Sequence, residues 1–165
     1  MKKKFNNWTD FYRKINLAFN GIIAASLVPF GWLLLEMQSN SKFVSAITDD
    51  LLPFIVLAVI LLMSILLIWV VKSSNREMIN IPNDDGIGRK LGLFYRIFLR
   101  QYLIMELIGL NAIVGLFFTR HYLFVCAYLG VLFWFSRIRP TYDFVVRNLL
   151  LKDDQIAQLA SEENF

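Results

Sequence analysis

One uninterrupted apolar run constrains the fold of this chain more than any other feature. Residues 51–71 read LLPFIVLAVILLMSILLIWVV, in which Ser64 is the one polar side chain. A helix rises about 1.5 Å per residue, so roughly 20 apolar residues cross the hydrocarbon core of a bilayer, which is about 30 Å thick. The run therefore predicts a membrane-spanning helix.

Three further apolar runs predict additional spans, at residues 15–36, 101–118 and 122–138. The chain is 57% hydrophobic and only 18% charged over its 165 residues, which is too apolar for a soluble domain of this size. The first of the three is longer than a signal-peptide core, which favours an uncleaved span. We predict an all-α integral membrane protein with four transmembrane helices in two hairpins.

The distribution of lysine and arginine predicts the orientation. Residues 1–14 contain five of them, residues 72–100 six, and the chain from Arg137 onward four, whereas residues 37–50 and 119–121 contain one each. Because positively charged segments stay on the cytoplasmic side, both termini are expected to be cytoplasmic. The excess of positive charge is explained by topology, so we expect no nucleic-acid partner.

The three cytoplasmic segments share an amphipathic pattern. They are the arm at residues 1–14, the loop at residues 72–100 and the tail at residues 139–165, while residues 37–50 form an outer loop and residues 119–121 a tight outer turn. Apolar residues recur at helical spacing between basic ones, which predicts amphipathic helices at the cytoplasmic interface, their apolar faces in the headgroups of anionic lipid. For the arm and the loop, an extension of the spanning helices explains the pattern equally well.

The basic residues of these segments are candidate contacts for lipid or for a protein partner. They are Arg89, Lys90, Arg96, Arg100, Arg137 and Arg139. The polar stretch before them ends in Asp84, Asp85 and Gly86, from which we expect a helix that starts after Gly86 with an aspartate cap.

Glu106 and Asn111 stand inside the third span and need partners there. Glu106 lies six residues after Arg100, and Asn20 lies six residues after Lys14. Both positions are therefore roughly 9 Å into the membrane. We predict that Asn20, with Asn16 one turn below it, hydrogen-bonds Glu106, and that Asn111 binds another helix or a partner.

Small residues predict where helices approach closely. Gly21 and Ala25 form a small face on the first span, and Gly109, Ala112 and Gly115 form one on the third. Such faces let helix backbones pack tightly in a bilayer. We expect the first and third spans to touch.

The residue inventory argues against catalysis. His121 is the single histidine and Cys126 the single cysteine. A haem with two histidine ligands, a zinc site and a Cys-His nucleophile therefore all lack ligands. We expect no catalytic residues, no cofactor and no metal.

These patterns favour a non-catalytic accessory or scaffold subunit of a larger integral membrane complex, whose partners are other membrane subunits. The alternative is a small oligomeric transporter or channel-like protein using Glu106 and Asn111. A weaker alternative is a lipid-binding or lipid-modifying protein using Asp84, Asp85 and Arg89. The lysine-rich start favours a bacterial plasma membrane.

Overall fold

A computed structural model describes Phe5 and residues 7–39, 52–81, 86–149, 151 and 153–160, and within these ranges it contains helices and no strands. Asp84, Asp85 and most of the predicted outer loop lie outside the described residues. The helices are α1 Trp8–Ser39, α2 Leu52–Ile79, α3 Ile87–Thr119, α4 Leu123–Arg137, α5 Tyr142–Leu149 and α6 Asp153–Ala160.

The lengths of the helices agree with a membrane protein. Within the described residues, α1, α2 and α3 are each long and apolar enough to cross a bilayer. The 15 residues of α4 reach only about 22 Å, and α4 counts as a fourth span only together with α5, from which it is bent by 76°. The chain therefore has three or four helices of membrane-spanning character.

Helix α3 lies at the centre and packs against α1, α2 and α4. The rings of Phe11 and Phe94 are neighbours, and so are those of Phe19 and Tyr102, so α1 and α3 run parallel. Helix α4 returns antiparallel beside them. The predicted contact between the first and third spans is confirmed.

That contact is not made by the small residues on α1. Gly21 and Ala25 are exposed, and a side chain at Gly21 would meet nothing within 4 Å. The buried stripe of α1 consists of large residues instead: Phe11, Ile15, Phe19, Phe30 and Leu33, with Ser26 among them. Aromatic packing, rather than close backbone approach, holds α1 against α3.

The small face of α3 accommodates α4. A Cβ atom at Gly109 would lie 3.4 Å from the ring of Tyr128, and one at Gly115 would lie 2.5 Å from the ring of Phe124. Ala112, between them, is fully buried. The three small residues therefore make room for large side chains of the next helix, because α4 follows α3 through a short turn.

The arm and the loop are extensions of spanning helices, since α1 runs unbroken from Trp8 and α3 from Ile87. Their apolar faces meet in an aromatic cluster formed by Phe5, Phe11, Phe94, Phe98 and Phe144, with ring centroids 4.5–6.2 Å apart. Val145 and Leu149 of α5 are buried as well. The expectation that these faces lie in the headgroups is corrected, because their apolar side chains are buried against one another within the protein.

The two connections next to α3 are short. Gly86 occupies the position before α3, and its carbonyl accepts from the N–H groups of Arg89 and Lys90, so the predicted aspartate is not the residue at the cap. At the other end Arg120 adopts a left-handed conformation, φ 53° and ψ 22°, and donates its N–H to Leu116 over 2.8 Å. Such a residue reverses the chain and allows α4 to start at Leu123.

Candidate intramembrane site at Glu106

Glu106 lies in the middle of the helix bundle, on the side of α3 that faces both α1 and α4. Only 7% of its surface is exposed, and the neighbouring Ser26 of α1 and Tyr128 of α4 are each only 1% exposed. Three helices therefore contribute one polar side chain each to a single buried location.

These three side chains form a chain of hydrogen bonds. The hydroxyl of Tyr128 donates to Ser26 Oγ over 2.9 Å, and Ser26 donates to Glu106 Oε2 over 3.1 Å. The backbone carbonyl of Ile23, 3.3 Å from Ser26 Oγ, competes for the same serine proton. A carboxyl group placed in an apolar interior is thus partly satisfied by neutral hydroxyl donors.

The second carboxyl oxygen differs from the first. Glu106 Oε1 is buried and has no hydrogen-bond partner among the described residues. No basic side chain of the described chain forms an ion pair with Glu106. The site therefore holds a carboxyl group between helices and leaves one of its two oxygens without a hydrogen bond from the described residues.

The predicted partner of Glu106 was Asn20, and the structure corrects this. Asn20 is exposed, next to Phe19, whose ring packs inward on Tyr102. The offset that pairs Phe19 with Tyr102 puts Glu106 level with Ile23, about one turn beyond Asn20. Equal distances from the nearest basic residue did not identify equal depth, because the same offset puts Lys14 level with Ile97, three residues before Arg100.

The other two polar residues predicted here are apart from Glu106. Asn111 is exposed on a different face of α3 and donates to the carbonyl of Leu107 in its own helix over 2.7 Å. Asn16 is half-buried on α1. The structure therefore does not bring Asn16, Asn20 and Asn111 together with Glu106.

Two residues of the site were missed in the sequence. Ser26 looked unremarkable because a serine in a spanning helix commonly bonds a carbonyl of its own helix. Tyr128 lies in the predicted fourth span, where an aromatic ring is explained by apolar packing alone. The available signal was that both carry hydroxyls within apolar helices, where a polar atom needs a partner.

The predicted basic contacts divide into three groups. Arg89, Arg96, Arg137 and Arg139 are exposed. Arg100 pairs with Glu77 of α2 over 2.6 Å. Lys90 is fully buried and donates to Gln155 of α6 over 3.0 Å, so it stabilises the packing of α6 and is not a surface contact.

Among the described residues, no group of three His, Cys, Asp or Glu side chains could hold a metal ion. No known protein family matches the chain, and no curated protein or solved structure is significantly similar to it.

Proposed function

We propose that this chain is a non-catalytic accessory or scaffold subunit of a larger integral membrane complex. In the proposed arrangement α1 to α4 span the plasma membrane of a bacterium as two hairpins, with both termini in the cytoplasm. The asymmetry of lysine and arginine supports this orientation. The expected partners are other membrane subunits, together with anionic lipid around the exposed arginines.

The outward face of α1 is the observation that carries the proposal. Asn20, Gly21, Ala24 and Ala25 are all exposed there, in the part of α1 that has membrane-spanning character. No described residue hydrogen-bonds the Asn20 amide, whereas the opposite face of α1 is buried against α3. This outward face therefore presents an amide and three small residues at a depth where lipid chains would otherwise surround the helix.

Lipid chains cannot satisfy the hydrogen-bonding groups of such a surface. An amide has no hydrogen-bond partner in hydrocarbon, and a bond from a neighbouring helix contributes about 0.6 to 2 kcal/mol. Small residues next to the amide let a second backbone come close enough to provide that bond. A transmembrane helix of another subunit matches both properties.

The test is gentle detergent extraction from native membranes, followed by native gels and mass spectrometry. Wild-type chain is expected in a complex with different membrane proteins. Asn20→Leu and Ala25→Leu should each deplete those partners several-fold. Ala58→Leu is the matched control, because Ala58 is also an exposed alanine in a membrane-spanning helix but lies on α2.

Two results would contradict the proposal. One is a stable monomer that carries no partner after extraction. The other is a heteromeric complex that survives Asn20→Leu and Ala25→Leu as well as it survives Ala58→Leu, because the outward face of α1 would then not be the contact.

A second candidate, a small oligomeric transporter, is supported by one feature, the buried Oε1 of Glu106 that lacks a described partner. Asn111 lies on a different face of α3, so a path that uses both residues would need Asn111 from a second copy. Glu106→Gln separates the two candidates. A subunit held by packing keeps its complex with this isosteric change, whereas proton transfer is lost.

A further inference from the structure

An apolar groove runs along the bundle between α2 and α4. Its walls are formed by α2 from Ile60 to Ile68 and by α4 from Ala127 to Trp134, and Ile108 of α3 forms the floor. The volume of the groove is about 300 Å³. Eight residues of helix rise make it about 12 Å long.

The two walls run in the same direction, so the groove has two distinct ends. Helix α2 is antiparallel to α3, since Glu77 pairs with Arg100 whereas Trp69, earlier in α2, lies beside Ile104, later in α3. Helix α4 is also antiparallel to α3, because Gly115 packs on Phe124 and Gly109 on Tyr128. Ile68 and Trp134 therefore lie at the same end.

A hydrogen-bond donor without a partner lies at that end. The indole Nε1 of Trp134 is buried and has no acceptor among the described residues. Leaving such a donor unsatisfied costs about 1–3 kcal/mol. The indole ring lines the groove while its Nε1 is enclosed by protein, so an occupant of the groove contacts the ring through apolar atoms.

Two cations continue the walls beyond this donor. Lys72 lies one helical turn after Ile68, and Arg137 three residues after Trp134, so each continues the lining face of its helix. Both are exposed, and neither forms an ion pair with a described residue. The end of the groove that carries the indole donor is thus positively charged.

The groove is apolar along its length and positively charged at one end. A hydrocarbon chain matches the apolar walls, and an anionic headgroup on that chain matches the two cations beyond them. An acyl chain of an anionic lipid combines both properties.

We propose that this groove binds one acyl chain of an anionic phospholipid. The acyl chain packs against the ring of Trp134, and the phosphate lies between Lys72 and Arg137. This goes beyond the proposed function, because it assigns a defined lipid site to a part of the surface remote from the outward face of α1.

The test is native mass spectrometry of the purified full chain in micelles, titrated with dioleoylphosphatidylglycerol or dioleoylphosphatidylcholine. Wild type should bind the anionic lipid at least tenfold more tightly. Lys72→Gln and Arg137→Gln should each weaken anionic-lipid binding about fivefold, which corresponds to about 1 kcal/mol per charge near the membrane surface. Trp134→Ala, which removes the ring from the groove wall, should weaken binding of both lipids about fivefold.

A variant that fills the groove provides the sharpest test. A side chain at Gly130, in the groove wall, would meet nothing within 4 Å, so Gly130→Leu should fold normally and reduce binding of both lipids more than tenfold. Arg13→Gln, the control, removes an exposed charge from the start of α1, away from both groove walls, and should leave binding unchanged. Equal binding of the two lipids by wild type, or wild-type binding by folded Gly130→Leu, would overturn the proposal.

Discussion

Glu106 illustrates how a single side chain acquires its role from its neighbours. In the sequence it is a carboxylate within an apolar run, and the residue types around it on α3 are compatible with transport or with helix packing. In the structure its Oε2 accepts from Ser26, and Ser26 accepts from Tyr128. The two hydroxyl groups stabilise the buried carboxyl group, since a buried polar group without partners costs several kcal/mol.

We expect Ser26→Ala to lower the free energy of unfolding by about 1–3 kcal/mol, because it removes the donor to Glu106 and the acceptor of Tyr128 together. Glu106→Gln keeps an acceptor and a similar shape, so its effect should stay below about 1 kcal/mol. Denaturant titration of the purified chain in mixed micelles measures both.

Ser64→Ala is the matched control for Ser26→Ala. Ser64 is an exposed hydroxyl in a spanning helix whose bond, 2.8 Å long, goes to its own helix at Ile60. Its removal should leave stability unchanged within about 0.5 kcal/mol. If Ser26→Ala were as mild as Ser64→Ala, the hydrogen-bond chain would not stabilise the bundle.

At the scale of the element, α3 determines the packing. It contacts α1 through large aromatic residues and α4 through small ones. The difference follows from connectivity: the Arg120 turn forces α4 directly against α3, and the rings of Phe124 and Tyr128 then occupy the space left by glycines. Helix α2 exposes large apolar residues along most of its length, which suits lipid contact.

Gly115→Ala should destabilise the chain by about 1–3 kcal/mol, the usual cost of overpacking a well-filled interface. The added methyl would lie 2.5 Å from the buried ring of Phe124, which has to move. Thermal unfolding followed by circular dichroism in micelles is the measurement.

Gly31→Ala provides the comparison, because nothing lies within 4 Å of a Cβ atom there. Alanine is the better helix former by about 1 kcal/mol, so this variant should be neutral or stabilising. Equal unfolding temperatures for the two variants would mean that α4 does not pack on Gly115 as described.

In the whole molecule, α1 and α3 run parallel. The start of α1 also meets α5, where the ring centroids of Trp8 and Tyr142 are 5.3 Å apart. The start of α1, the start of α3 and the segment after α4 therefore share one end of the bundle. The Arg120 turn lies at the other end. This arrangement agrees with the proposed orientation and permits a direct topological test.

Single cysteines introduced in Cys126→Ser protein should report the two ends. Thr9→Cys and Asp143→Cys are expected to react with an impermeant maleimide only from the cytoplasmic side, and Tyr122→Cys only from the opposite side; all three native residues are exposed. Asp143→Cys that labels from the same side as Tyr122→Cys, or from neither side, would show that α4 does not cross the membrane alone.

Apolar length and helical period are local properties of a chain, so the helical segments and their membrane-spanning character can be predicted without a structure. The sequence also indicated that Glu106 needs a partner and that α1 and α3 touch. The packing of the helices selected the partners. Glu106 bonds Ser26 rather than Asn20, and the glycines of α3 pack against α4 rather than against α1. Those choices depend on the height and rotation of one helix against another. A shift of one turn exchanges the facing residues, and no local pattern in the chain specifies that shift.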